Sequence, residues 1–178
     1  MAKGVEALST PGHDLGYAFF DPKDLSTLQT AIDQLDGYIS SEGPFDVVMG
    51  FSAGAVLAAT YILQKQQQRS ASAVPFSCAV FLCSADSAEE TRYLGLLDDG
   101  AAGGGLIHIP TAHSWGLHDN VAPHAGEGLS RLCDPEARLT HTHGGGHELP
   151  RAEQIVDFAQ IIRRTMRSAR RRICTQPC

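Results

Sequence analysis

FDVVMGFSAGAVLAA (residues 45–59) changes character at its midpoint. FDVVMGF (45–51) is an apolar run bounded by turn signals, the pattern of a strand buried on both faces in a parallel sheet. From Ala53 to about Arg69 the chain reads as a helix, apolar at first and polar at its far end, QKQQQR. Between the two lies Gly50-Phe51-Ser52-Ala53-Gly54, a G-x-S-x-G sequence. A serine at such a turn sits in strained backbone with its hydroxyl exposed, and the flanking glycines let strand and helix approach without side-chain clashes. The start of the helix also places the Ala53 N–H where it can stabilise an oxyanion. The bland alternative is a strand–helix turn carrying an incidental serine.

Working outward, Leu25, Leu28, Ile32, Leu35 and Ile39 recur at spacings of three and four, which predicts an amphipathic helix over 25–40, stopped by Ser41-Glu42-Gly43-Pro44. Residues 1–24 show no clean period and read as irregular. On the other side, SASAVP (70–75) is a loop and CAVFLCS (78–84) a second buried strand. A short helix is expected within 88–97, then a DDGAAGGG turn. A third strand is expected from near Pro110 within 106–116, and ARLTHTH (137–143) is a fourth. Ile155, Phe158, Ile161, Ile162 and Met166 mark a closing helix from Pro150 to about Arg172, with a loose tail over 173–178. Strands alternating with helices imply an α/β architecture, a mostly parallel sheet with helices on both faces. No repeat or linker divides the chain, so 1–178 reads as a single domain. In such sheets the ligand site lies beyond the carboxyl ends of the strands.

A serine hydroxyl is a weak nucleophile and needs a base. His147 follows the last expected strand in HTHGGGHELP, where Gly144, Gly145 and Gly146 let the loop curl and aim an imidazole back over the sheet. The competing readings are a surface histidine, or a metal site built from His141, His143 and His147, the first two sharing a strand face. Asp119, in SWGLHDNVAP just past the third strand, is placed to hold that imidazole in the right tautomer. Asp86, after the second strand, is the rival for this role; Asp46, Asp98, Asp99 and Asp134 read as solvated. Trp115 reads as a packing residue beside the Asp119 loop. The chain order Ser52, Asp119, His147 is the one a G-x-S-x-G hydrolase sheet uses.

The bulk properties narrow the field. At 178 residues and 19.0 kDa the chain suits one domain with a real core. A net charge of −6 argues against a general affinity for nucleic acid. No apolar run approaches the roughly 18 residues of a membrane helix, and the start lacks a secretory core, which points to a cytoplasmic protein. The five cysteines, an odd number without framework spacing, read as buried reduced thiols. Arg163, Arg164, Arg167 and Arg170 to Arg172 complement a helix C-terminus and read as a solvated face, with an acidic partner as the alternative.

GPFDVVMGFSAGAVLAA (43–59), IPTAHSWGLHDNVAP (109–123), HTHGGGHELP (141–150) and the helical AIDQLDGYI (31–39) together resemble the fungal family serine hydrolase (FSH) group of the α/β-hydrolase superfamily, over roughly residues 25–165. Position by position, the resemblance implies Ser52, Asp119 and His147 as catalytic residues, and it implies an esterase or thioesterase with no cofactor or metal. The implied substrate is a small-molecule ester or an acyl-thioester, carrier-protein-bound acyl groups included, in fungal polyketide or other secondary-metabolite biosynthesis. Members of that group begin with a strand ending in a His-Gly-rich loop that gives the second oxyanion donor. The expectation here is a chain shortened at that end and lacking that donor. The alternative to an active esterase is therefore a degenerate, catalytically weak homologue with a binding or accessory role.

Overall fold

The computed structural model describes residues 18–68, 74–95 and 107–175. Four strands, β1 (Val47–Phe51), β2 (Cys78–Leu82), β3 (Thr111–Gly116) and β4 (Arg138–His143), alternate with five helices, α1 (Ser26–Glu42), α2 (Ala53–Gln67), α3 (Ala88–Tyr93), α4 (Ala125–Arg131) and α5 (Glu153–Thr175). All strand pairs are parallel and the spatial order is the chain order, β1-β2-β3-β4. Phe51 pairs with Leu82, Leu82 with Ser114, and Gly116 with His143, so the carboxyl ends of the strands lie along one rim of the sheet.

The helices divide between the two faces. Leu28 and Ile32 of α1, together with Val56, Tyr61 and Ile62 of α2, pack with Ala79 and Phe81 of β2 and with Leu129 of α4. The predicted stripe on α1 is the buried one: Leu28, Ile32 and Ile39 are buried, and Leu25 and Leu35 are partly so. Asp36 of α1 accepts a hydrogen bond from Tyr61 Oη and pairs with Lys65, both at 2.7 Å, tying α1 to α2. On the opposite face Phe158 of α5 covers Val80, Leu82 and Ala112, with Ile161 and Ile162 alongside.

Three differences from the sequence reading have physical causes. β1 is not buried on both faces: Met49 is 58% and Phe51 43% exposed, and Val47 and Val48 are half-buried. An apolar run identifies a strand but not its place in the sheet. β1 pairs with β2 alone among the described residues, and α5 lies chiefly across β2 to β4. Second, α4 was not expected, because AGEGLSR carries two glycines and no periodic stripe. It forms where Gly126 sits against the Trp115 side chain, a space in which an added Cβ would come within 2.7 Å. Third, α5 starts at Glu153 rather than Pro150, leaves Ile155 of the expected stripe exposed in its first turn, and continues as helix to Thr175, which removes the first part of the expected loose tail. The expected irregular start (1–17), the DDGAAGGG turn and most of the 70–75 loop lie outside the described residues.

Candidate active site

Ser52 stands between β1 and α2 at φ 53° and ψ −122°, backbone that a side chain rarely adopts. Its N–H donates to Leu82 O at 3.0 Å, which fastens the turn to the end of β2, and its carbonyl accepts the first amide bonds of α2, from Ala55 and Val56. The preceding glycine is required by contact: a Cβ on Gly50 would lie 2.5 Å from Gly54 O and 2.6 Å from Ala55. The Phe19 ring lies beside Gly54. Ala53 is the first residue of α2, so its N–H has no intrahelical acceptor and lies next to the serine.

The other two residues come from the loops after β3 and β4. These loops are bonded to each other: Leu117 N–H to His143 O at 2.8 Å, His118 N–H to Gly145 O at 3.0 Å, and the His118 ring Nδ1 to Gly144 O at 2.9 Å. The approach is close enough that a Cβ on Gly116 would overlap the carbonyl oxygens of Gly145 and Gly146. This contact brings His147 Nδ1 to 2.7 Å from Asp119 Oδ2 and His147 Nε2 to 2.9 Å from Ser52 Oγ. The Asp119 and His147 side chains are only 6% and 12% exposed, and the Phe51 ring lies against the imidazole, centroids 5.3 Å apart.

The protonation pattern follows from the bonds. Burial works against the Asp119 charge, but the Ala122 amide, His147 and the Val121 amide together outweigh it and hold the carboxyl below the ordinary aspartate range. Both amides donate to Oδ1 at 2.9 Å, leaving Oδ2 for His147. A carboxylate only accepts, so His147 Nδ1 carries a proton and donates it; in the neutral ring Nε2 is then the acceptor facing the Ser52 hydroxyl. The Asp-Asn-Val-Ala turn at 119–122 was readable as an aspartate that bonds its own following amides, and it is what fixes this carboxylate.

The competing candidates are placed elsewhere. Asp86 is exposed and accepts the Ala88 N–H at 3.1 Å, at the start of α3. His141 Nδ1 is hydrogen-bonded with Ser114 Oγ at 3.0 Å, and His143 Nδ1 accepts the Gly145 N–H at 3.2 Å. The three histidines therefore face three different partners, and no group of three metal-type side chains converges among the described residues. Trp115 packs on α4 and also lines a cavity of about 380 Å³ beside Asp119, shared with Asn120, Pro123 and Glu127. Cys78, Cys83 and Cys133 are buried free thiols. The sequence reading passed over Gly116 and took Cys83 only as a buried thiol; a glycine closing a strand is the signal that marks a close backbone approach at the former.

The chain is similar to known proteins over most of its length. The family model described as Serine hydrolase (FSH1) matches residues 7–159. The chain is 36% identical over 177 residues to Esterase FPY3 of Fusarium mangiferae, an alignment covering 94% of this chain and 77% of that protein. It is 28% identical to Hydrolase FUB4 of Fusarium oxysporum f. sp. lycopersici, covering 84% and 76% respectively. Among solved structures, the monoacylglycerol lipase of Paleococcus ferrophilus superposes with a TM-score of 0.54 at 15% identity, over 80% of this chain and 76% of that one. The fold is that of the α/β-hydrolases, and no described helix is long and apolar enough to cross a membrane.

Proposed function

Since this chain belongs to the serine hydrolase (FSH1) family, we propose that it cleaves a small-molecule ester or thioester through an acyl-Ser52 intermediate. One observation carries the reading: His147 bridges Ser52 and Asp119 at 2.9 and 2.7 Å, in the tautomer a general base needs. Ser52 Oγ attacks the acyl carbonyl while His147 Nε2 takes its proton. The resulting oxyanion is met by the Ala53 N–H at the positive end of α2. Collapse breaks the bond to the leaving oxygen or sulfur, which receives the proton from His147. Water, deprotonated by the same imidazole, then attacks the acyl-enzyme and releases the acid and free Ser52. Asp119 stays ionised throughout and stabilises the imidazolium. No step calls for a metal or cofactor. The resemblance to the fungal group supports an acyl substrate from secondary metabolism, carrier-bound thioesters included.

The test is covalent labelling with a fluorophosphonate probe, read by intact mass. The full chain gains one adduct, mapped to Ser52, and Ser52→Ala gains none. An unlabelled wild-type chain that also leaves p-nitrophenyl acetate intact would overturn the reading.

A further inference from the structure

One buried residue outside the triad lies between the segments that carry its three side chains. Cys83 follows β2, is 1% exposed, and holds φ 41°, a left-handed conformation that a non-glycine residue keeps only where its surroundings fix it. The residue before it, Leu82, accepts the Ser52 N–H. Its own N–H donates to Ser114 O at 2.8 Å, on the strand that leads to Asp119. Its Sγ lies 2.9 Å from the carbonyl oxygen of Glu148, the residue directly after His147.

We propose that Cys83 is a positioning residue, whose thiol hydrogen bond to the Glu148 carbonyl anchors the C-terminal side of the His147 loop and so sets the imidazole between Asp119 and Ser52. The N-terminal side of that loop is already held, through His143, Gly144 and Gly145, by the β3 loop. On the C-terminal side Glu148 makes two local contacts, its N–H to Gly146 O and its carboxylate to Arg151, and neither reaches the sheet. The Cys83 thiol does. Burial pushes this thiol up to about 11, with backbone hydrogen bonding from Gly116 and, more weakly, from Glu148 pulling against it. The sulfur therefore keeps its proton at neutral pH and can donate it, and it is not a nucleophile there. Without the tie, His147 would pivot about its glycine-rich side. A displacement on the order of 1 Å at a catalytic base costs about 10²-fold in rate.

This inference rests on the hydrolase reading above, and the experiment separates the two. Cys83→Ala removes the donor and Cys83→Ser keeps one. On p-nitrophenyl acetate, Cys83→Ala is expected to lose at least about ten-fold in kcat with KM within about two-fold of wild type, and Cys83→Ser to recover most of the loss. Thermal unfolding, monitored in parallel, shows each variant folded at the assay temperature. A second readout needs no turnover: the downfield imidazole N–H proton resonance of His147 reports its bond to Asp119, and it weakens in Cys83→Ala and persists in Cys83→Ser. If Cys83→Ala does not fold, Cys83→Ser decides alone, since a folded serine variant that loses kcat and the resonance contradicts the proposal. Wild-type kcat with an intact resonance in Cys83→Ala would overturn it while leaving the hydrolase reading untouched. A wild-type chain that neither labels nor turns over would sink that reading, and the resonance would still test the anchor.

Discussion

The two halves of the site are held by different means. On the side of the proposed nucleophile, Ser52 follows β1, the edge strand among the described residues, one face of which is open at Met49 and Phe51; its N–H ties it across the sheet to Leu82 O. Its position comes from local strain, the φ 53° of the elbow and the contact at Gly50. On the side of the proposed base and its orienting acid, His147 and Asp119 stand on two loops laced together after β3 and β4. A nucleophile can thus be placed by a few consecutive residues, whereas a base and its orienting acid need long-range contacts. Substitutions on the two sides should then fail differently.

The largest effect belongs to the laced side. Asp119→Asn keeps the two bonds from Val121 and Ala122 but presents an amide to His147, favouring the wrong tautomer. The expected loss is roughly 10⁴-fold in kcat, with little change in KM or in unfolding temperature. Asp86→Asn, tested beside it, is expected to leave kcat unchanged. The opposite ranking in a kcat comparison would move the acid to Asp86.

Gly116→Ala tests the lacing itself. The added methyl meets two carbonyl oxygens of the histidine loop, so the loops must part. Because a misplacement of about 1 Å costs about 10²-fold, kcat should fall by that order and thermal stability with it. Gly128→Ala, on the exposed side of α4 where nothing lies within 4 Å, is the control and should change neither. Equal behaviour of the two variants in kcat and unfolding assays would show that the close approach is not what sets His147.

How much of this could be read in advance follows the same division. The elbow was legible because its determinants, Gly50, Ser52 and Gly54, are neighbours in sequence. The four strands were legible as short runs between turn signals, and the stripe of α1 because burial repeats with the helical period; the stripe of α5 was legible only in part, since Phe158 is buried but Ile155 is exposed. The openness of β1 was not, because an apolar strand looks the same whether one or two partners flank it. Nor was the Cys83 to Glu148 bond, which joins residues 65 positions apart, or α4, which forms against Trp115 rather than from its own composition. Asp119 was reached by chain order alone, although the residues after it also carry the signal of the turn that fixes its carboxylate.

A smaller effect concerns pH and the core behind the laced loops. His113 of β3 is 1% exposed, packs on Phe81 and hydrogen-bonds Thr111 Oγ1 at 3.0 Å. Burial, with Arg138 adding to it, lowers its pKa from an ordinary 6.5 to about 3. The folded ring therefore stays neutral while the unfolded one takes a proton below about 6.5. Stability is full above that pH and is lost as pH falls toward 3. Asp119, also lowered, acts in the same direction but in the lower window, as pH falls through the carboxylate range. Denaturant midpoints measured between pH 7 and 4 should decline in wild type, and the decline should be shallower in His113→Gln. An unchanged slope in the variant would remove His113 as its cause.

The smallest expected effect is on the open side. Met49 points away from the α2 face, is 58% exposed and lies one residue before Gly50. Were β1 covered on both faces, as its apolar run suggested, Met49→Gln would bury an amide and cost about 1–3 kcal/mol. At the observed exposure the side chain already meets solvent, and surface substitutions of this kind stay within about 0.5 kcal/mol. The elbow should be indifferent too, since its geometry is set by Gly50 and Ser52 rather than by the side chain that precedes them. Urea unfolding and kcat on p-nitrophenyl acetate together decide the matter. Near-wild-type values in both would establish that the nucleophile tolerates change on its exposed strand. A loss of more than about 1 kcal/mol would mean that Met49 is covered in solution and that the two sides of the site are less different than the geometry indicates.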